Sequence, residues 1–306
     1  MGLQRQTLQA LSAAMANPGA YKQVRDILEF ADGPGEKFYV SSVSGVATND
    51  GKSPERPLNN ITNALAKCTA LQGDTIYLLP GHTETVTAAI AMSTAMVSLI
   101  GLGNPGDVVI TTATADINLI AVTADNCLIR NIKFTNTATV TSQTEMVDVD
   151  ASYCVIEDCI FSFAANDKVE GCNFATGKTD NKVLGCTFIL PDDGESCILW
   201  ASTRMEVAYC HFDLSGGEGL ALEQLASAGD GCRIHHNTFC ADGTVTPMMS
   251  WDATPGAGGC VYHNLVFDCA GDTDVFGDDA NLDTWFIYNF HGAADGTATA
   301  INPSVT

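Results

Sequence analysis

The residues that decide the fold are a segment that returns seven times: CLIRNIKF (127–134), CVIEDCIF (154–161), NKVLGCTF (181–188), MEVAYCHF (205–212), CRIHHNTF (232–239), CVYHNLVF (260–267) and WFIYNF (285–290). Each copy ends on Phe, at 134, 161, 188, 212, 239, 267 and 290. A second series runs ahead of it: LIAVTAD (119–125), MVDVDAS (146–152), GCNFAT (171–176), SCILWAS (196–202), LALEQLAS (220–227), MMSWDAT (248–254) and VFGDDAN (275–281). The residue before its Ala is Thr123, Asp150, Phe174, Trp200, Leu225, Asp252 or Asp279. Both series alternate apolar and polar residues over five to eight positions and end in Gly, Asn, Asp or Ser turns, the pattern of strands with one buried face. A period of about 26 residues, with short strands and no helix between them, predicts an all-β, right-handed, single-stranded parallel β-helix.

On this reading the twelve Cys are core residues rather than a disulfide framework. Cys159, Cys186 and Cys210 stand two residues before a Phe. Cys127, Cys154, Cys232 and Cys260 form a second column at the strand start. Buried Cys packs as a small hydrophobe, and no Cys or His spacing fits a metal site. No metal or other cofactor is expected. Asn131, Asn237, Asn264 and Asn289 are read as an amide ladder, and His235, His236 and His263 as structural or surface residues.

Composition narrows the partners. Acidic residues outnumber basic ones 36 to 14, a formal net charge of −22. Such a polyanion repels nucleic acid and anionic membrane. The first residues lack the basic and apolar regions of a signal peptide, and no apolar run is long enough to span a bilayer. The expectation is folding in a reducing cytoplasm with free thiols.

Ahead of the repeat, DGKSPERPLNNITNALAKC…GDTIYLLPG (within 50–81) reads as a turn, a short capping helix near 59–71 with Asn60 or Thr62 as N-cap, and a strand. This run resembles the opening segment of pectate-lyase-like right-handed β-helix proteins, in which a DG-S-P-T-I-A pattern leads through a helix to G-D-T-I-x-L-x-P-G. The resemblance covers roughly 37–290. It implies the fold and leaves function open, because the superfamily holds polysaccharide lyases and hydrolases, phage tailspikes and non-enzymatic virion proteins.

Three regions follow: a helical arm (1–35), the β-helix (36–290) and an extended tail (291–306). In the arm, Leu3, Leu8, Leu11 and Met15 mark one apolar stripe and Tyr21, Val24, Ile27 and Leu28 a second. These residues are candidates for binding a partner, since a separate cap lies at 59–71.

For catalysis, Asp148, Asp150, Asp252, Asp278 and Asp279 are candidate carboxylates and Trp200 and Trp251 candidate glycan contacts, because sugar hydrolysis needs two carboxyl groups about 5–10 Å apart. Asp252 and Asp279 are one coil apart. A lyase needs a base beside clustered Asp, and no Lys or Arg shares a strand with the Asp series. No phosphate loop, nucleophile elbow or Cys/His pair occurs. The favoured expectation is a non-enzymatic phage virion protein: a homotrimeric capsid decoration (cement) protein, made in the host cytoplasm, whose arm binds the major capsid protein or another virion protein and whose β-helix projects outward. The alternative is a tailspike-like protein that binds or hydrolyses polysaccharide through outward carboxylates.

Overall fold

In the computed structural model, residues 35–112, 114, 116–136, 144–163, 169–190, 196–214, 219–225, 230–241, 249–250, 259–267, 285–287, 289–292 and 298–300 are described. Among the described residues, twenty-seven short strands form three sheets. Sheet A holds ten strands, from Lys37–Val40 and Thr75–Leu78 through Val155–Glu157 to Trp285–Ile287; sheet B holds ten, from Thr83–Val86 to Ala298–Ala300; sheet C holds seven, from Ile90–Met92 to Met249–Ser250. The chain visits them in the order A, B, C and pairs each strand in parallel with its counterpart one coil later. The result is the expected right-handed β-helix, with about 27 residues per coil.

Alternation sets what lies inside. Sheet A contributes the column Phe38, Ile76, Leu99, Ile129, Ile156, Val183, Val207, Ile234, Val261. Sheet B contributes Ile110, Phe134, Phe161, Phe188, Phe212, Phe239 and Val266. Five of these Phe are fully buried and stack face to face, with centroids 5.1, 4.7, 5.0 and 4.8 Å apart. One strand spacing separates successive coils, so identical rings in register stack without gaps.

The Phe series breaks at its end. Phe239 pairs with Val266, and Phe267 pairs with Cys240 and is exposed. Phe290 pairs with Leu265, again one place away from the column. In the first five copies the Phe lies within the sheet B strand, but at the end of Leu265–Phe267 and at the start of Phe290–Gly292 it falls on another register position. Cys260 is displaced in the same way: it pairs with Arg233 rather than extending the Cys127, Cys154 and Cys232 column. All the described Cys are free thiols.

Six A-to-B corners are two-residue turns whose first residue has positive φ: Asn131, Asp158, Gly185, Tyr209, His236 and His263, at 53–63°. Asn131 therefore belongs to the turn and not to the amide ladder. The position after it runs Ile132, Cys159, Cys186, Cys210, Asn237, Asn264, Asn289. Cys and Asn thus share one buried column. In its Asn half, Asn264 Oδ1 accepts from the Asn237 backbone N–H (2.9 Å) and Nδ2 (3.0 Å), and Asn289 Oδ1 serves Asn264 likewise at 3.1 and 3.0 Å. Each Nδ2 also donates to a carbonyl of the preceding coil, at Val207, Ile234 and Val261. In the Cys half the thiols donate to carbonyls, as Cys186 does to Ile156 at 3.6 Å.

The N-terminal end is closed by a short helix, α1 (Ile61–Leu65), which buries Ile61, Ala64 and Leu65 against the first strands of sheets A and C. Asn60 is its N-cap, accepting from the Asn63 N–H at 2.8 Å. Glu84 accepts from the Ile61 N–H at 2.9 Å, placing a carboxylate at the positive end of the helix. Buried His82 holds that carboxylate: its Nδ1 accepts from the Ser42 N–H, so Nε2 carries the proton and donates to Glu84 at 3.2 Å. At the other end strand pairing goes on past residue 290. Phe290–Gly292 continues sheet B, and Ala298–Ala300 pairs with it in antiparallel sense. The arm residues Leu3, Leu8, Leu11, Met15, Tyr21, Val24, Ile27 and Leu28 lie outside the described residues.

Candidate functional site

Two polar clusters stand on the outside of the coil. The first is the acidic strip foreseen on sheet C. Asp148 and Asp150 flank buried Val149 on the strand Thr144–Val149 and its end, and share its outer face. Asp148 is half-buried and accepts from Asn118 Nδ2 and Asn173 Nδ2, both at 3.4 Å. Burial, and then the charge of Asp150, hold its pKa above the usual carboxylate value. Glu145 is raised too, by burial and then by Asp148. Asp150 is exposed and paired with Lys178 at 3.0 Å.

The strip does not continue as a catalytic row. The outward column from Asp148 runs Asn173, Leu199, Glu223, so an apolar residue interrupts it, and Glu223 is bonded to Ser196 Oγ. Trp200 is corrected outright as a glycan contact. It pairs with Phe174 and Gln224, in the Val149 column rather than that of Asp150, and is 1% exposed. The sequence marker slipped there because Ala175 and Ala201 themselves take the place that Asp150 holds one coil earlier. Asp252, Asp278, Asp279 and Trp251 lie outside the described residues. A hollow of about 150 Å³ lined by Lys37, Tyr39, Tyr77 and Leu102 sits near the N-terminal end of sheet A, smaller than the roughly 300 Å³ at which small-molecule sites begin.

The raised carboxyl groups set a pH dependence. An acid whose folded pKa lies above its unfolded value binds its proton more tightly when folded, so it adds stability as pH falls through the folded value and removes it as pH rises. Asp148→Asn is therefore expected to raise the melting temperature at pH 7, with the advantage vanishing as pH is brought down towards 4. Thermal melts at a series of pH values check this; an advantage that grows on acidification would contradict it.

The second cluster was read in the sequence as structural and is the more organised of the two. It lies on the outer face of sheet A and its corner. Glu206 and Arg233 stand in one outward column with Lys182, and His235 and Tyr262 in the next. Tyr209, His236 and His263 occupy three successive corner positions of positive φ, where glycine is free of strain and a ring is not. The rings make a continuous patch: Tyr209 on His236 (5.2 Å), His235 on Tyr262 (4.8 Å) and His236 beside His263 (5.0 Å). Tyr209 is 64% exposed, and His236 and His263 are exposed.

A hydrogen-bond chain runs through the patch. Glu206 receives Lys182 Nζ at 2.7 Å and Arg233 Nη2 at 3.2 Å, and contacts His235 Nε2 at 3.2 Å. Burial works against its charge, but the bonds from Lys182 and His235 prevail and hold its pKa below the usual value. An ionised carboxylate only accepts, so His235 Nε2 donates. In neutral His235, Nδ1 is then an acceptor, and it lies 2.9 Å from His236 Nδ1. With His235 neutral, His236 donates there, and the lone pair of its exposed ring is on Nε2. Burial, then the neighbouring His235 and His263, lower the His236 pKa, so the ring stays neutral near pH 7. Chemically, this nitrogen can take a proton or a Lewis acid. The HH pair at 235–236, with Tyr and His at the matching positions one coil before and after, was the available signal.

Among the described residues no group of three or more His, Cys, Asp or Glu is placed to hold a metal ion, and no helix is long and apolar enough to cross a membrane.

No known family profile matches the sequence, and no curated protein matches it. Solved structures do resemble the fold. The pectin methylesterase from Aspergillus niger, in deglycosylated form, is 15% identical, with 89% of this chain and 93% of that chain covered and a TM-score of 0.59. Pectate lyase Pel9A is 15% identical, with 86% and 78% covered and a TM-score of 0.54. A protein named Geobacillus virus E2 ORF18 aligns over 76% of this chain and 57% of that chain at 13% identity, with a TM-score of 0.37, too low to carry an argument. At these identities the likeness is one of fold alone: the chain, like these structures, is a parallel β-helix.

Proposed function

We propose that the protein is a structural component of a phage-type virion, a homotrimeric capsid decoration protein whose arm (1–35) binds the shell and whose β-helix projects from it. The observation that carries this reading is the closed N-terminal end of the coil. Helix α1 buries Ile61, Ala64 and Leu65 over the first strands, with its N–H groups met by Asn60 and Glu84. A solenoid needs such a cap, and here it is already supplied. The two apolar stripes of the arm are thus spare for a partner. Two further features support the reading. The described thiols are free and most of them are buried in the core, as suits a protein folded in a reducing cytoplasm before release. The acidic strip is interrupted by Leu199 and tied up by Lys178 and Ser196, which leaves little for a row of sugar-cleaving carboxylates.

The test is attachment. Full-length protein added to undecorated shells is expected to bind to saturation at hundreds of copies per particle, counted by quantitative mass spectrometry, and a chain lacking 1–35 to stay in solution while keeping its β-sheet spectrum. Binding that survives the deletion would sink the arm's role. A handful of copies per particle, or polysaccharide cleavage abolished by Asp148→Asn, would turn the reading towards a tailspike.

A further inference from the structure

Outside the arm and the acidic strip, the histidine patch on sheet A is built to a degree that packing alone does not require. We infer that His236, with His263 on the next coil, forms a solvent-completed binding site for a divalent transition-metal ion of the nickel, copper and zinc class. The ligand atom is already selected. Glu206 accepts from His235 Nε2, neutral His235 accepts through Nδ1 from His236 Nδ1, and the lone pair of the exposed His236 ring is then on Nε2. Metal-binding imidazoles are held in this manner, the far ring nitrogen donating to a fixed acceptor that sets tautomer and orientation. Here the acceptor is a second imidazole, itself anchored on a carboxylate that Lys182 and Arg233 hold in place.

The second ligand follows from the register. His263 repeats the corner position of His236 one coil on, with the same positive φ, and the ring centroids are 5.0 Å apart, inclined at 71°. A nitrogen bound to such an ion lies about 2.0–2.1 Å from it, which puts each ring centroid about 3.2 Å away. Two rings subtending roughly 90–110° at one ion then have centroids about 4.5–5.2 Å apart, and the observed spacing falls within that range. Tyr209, stacked on His236 from the coil before, closes the patch on one side. With two protein nitrogens, the remaining positions fall to water, so the ion is exchangeable. Imidazole selects the later first-row metals over calcium or magnesium, which separates this site from the carboxylates of sheet C, whose oxygens suit hard cations.

The experiment uses the untagged full-length chain and Ni²⁺ alone, titrated by calorimetry at pH 7.5. Asparagine is the substitution of choice at the two corners because it tolerates positive φ, and circular dichroism confirms each fold. One equivalent of Ni²⁺ is expected to bind the wild type. His236→Asn and His263→Asn are each expected to weaken it at least about tenfold, and Glu206→Gln by about tenfold through the supporting bonds. His211→Asn, an exposed histidine on sheet B, leaves binding unchanged. Absence of binding at millimolar Ni²⁺, or wild-type affinity in either corner variant, overturns the site; unchanged affinity in Glu206→Gln overturns the hydrogen-bond chain as its support.

Discussion

Phe188→Ala is expected to destabilise the coil by about 4 kcal/mol, the upper range for a buried Phe truncation. The ring is fully buried and stacked between Phe161 at 4.7 Å and Phe212 at 5.0 Å, almost parallel to both. Removal deletes two stacking contacts and leaves a void in the middle of a five-ring column. The neighbours cannot collapse into it, because each is fixed by the strand register of its own coil. Phe188→Leu refills most of the volume and is expected to cost well under half as much. Denaturant unfolding followed by circular dichroism compares the two. Equal losses would show that the stack, rather than the filled volume, supplies the stabilisation.

The second large effect is expected at Asn264. Its side chain receives two hydrogen bonds from Asn237 and gives one to Asn289 and one to the Ile234 carbonyl, all fully buried. Asn264→Ala strands donors and acceptors on three coils. At roughly 1–3 kcal/mol per unsatisfied buried group, a loss of about 4 kcal/mol follows. Asn264→Cys is expected to be milder, since Cys fills the same column at 159, 186 and 210 and donates to the carbonyl of the coil before. Unfolding midpoints of the two variants decide it: a Cys variant no more stable than the Ala variant would show that the thiol does not substitute for the amide.

These two columns also show how far the sequence could be read. Phe134 to Phe239 were legible because a large apolar residue every 24–27 positions is what one buried place per coil produces. Phe267, Phe290 and Cys260 depart from their columns because a recurring residue type does not register a one-residue shift, and only the pairing does. Trp200 was turned outward by the same ambiguity: SCILW is apolar almost throughout, so alternation could not say which side is core. The capping helix was legible from Asn60 and its apolar spacing. The histidine chain was not. Its members are consecutive residues or stand one coil apart, and a carboxylate 29 residues from His235 becomes its partner only when the coil closes. The raised pKa of Asp148 likewise belongs to the closed coil, which buries it beside Asn118 and Asn173 from the two flanking coils.

The last strand of sheet B carries a consequence for size. A parallel coil is a template that could go on accepting coils, its own or those of another molecule, and such growth ends in fibres. Ala298–Ala300 runs against the direction of every strand before it and is only three residues long. A newcomer meeting that edge finds the hydrogen-bonding frame reversed. Reversal of one short strand thus acts as a length stop, so that growth along this sheet ends with the single chain.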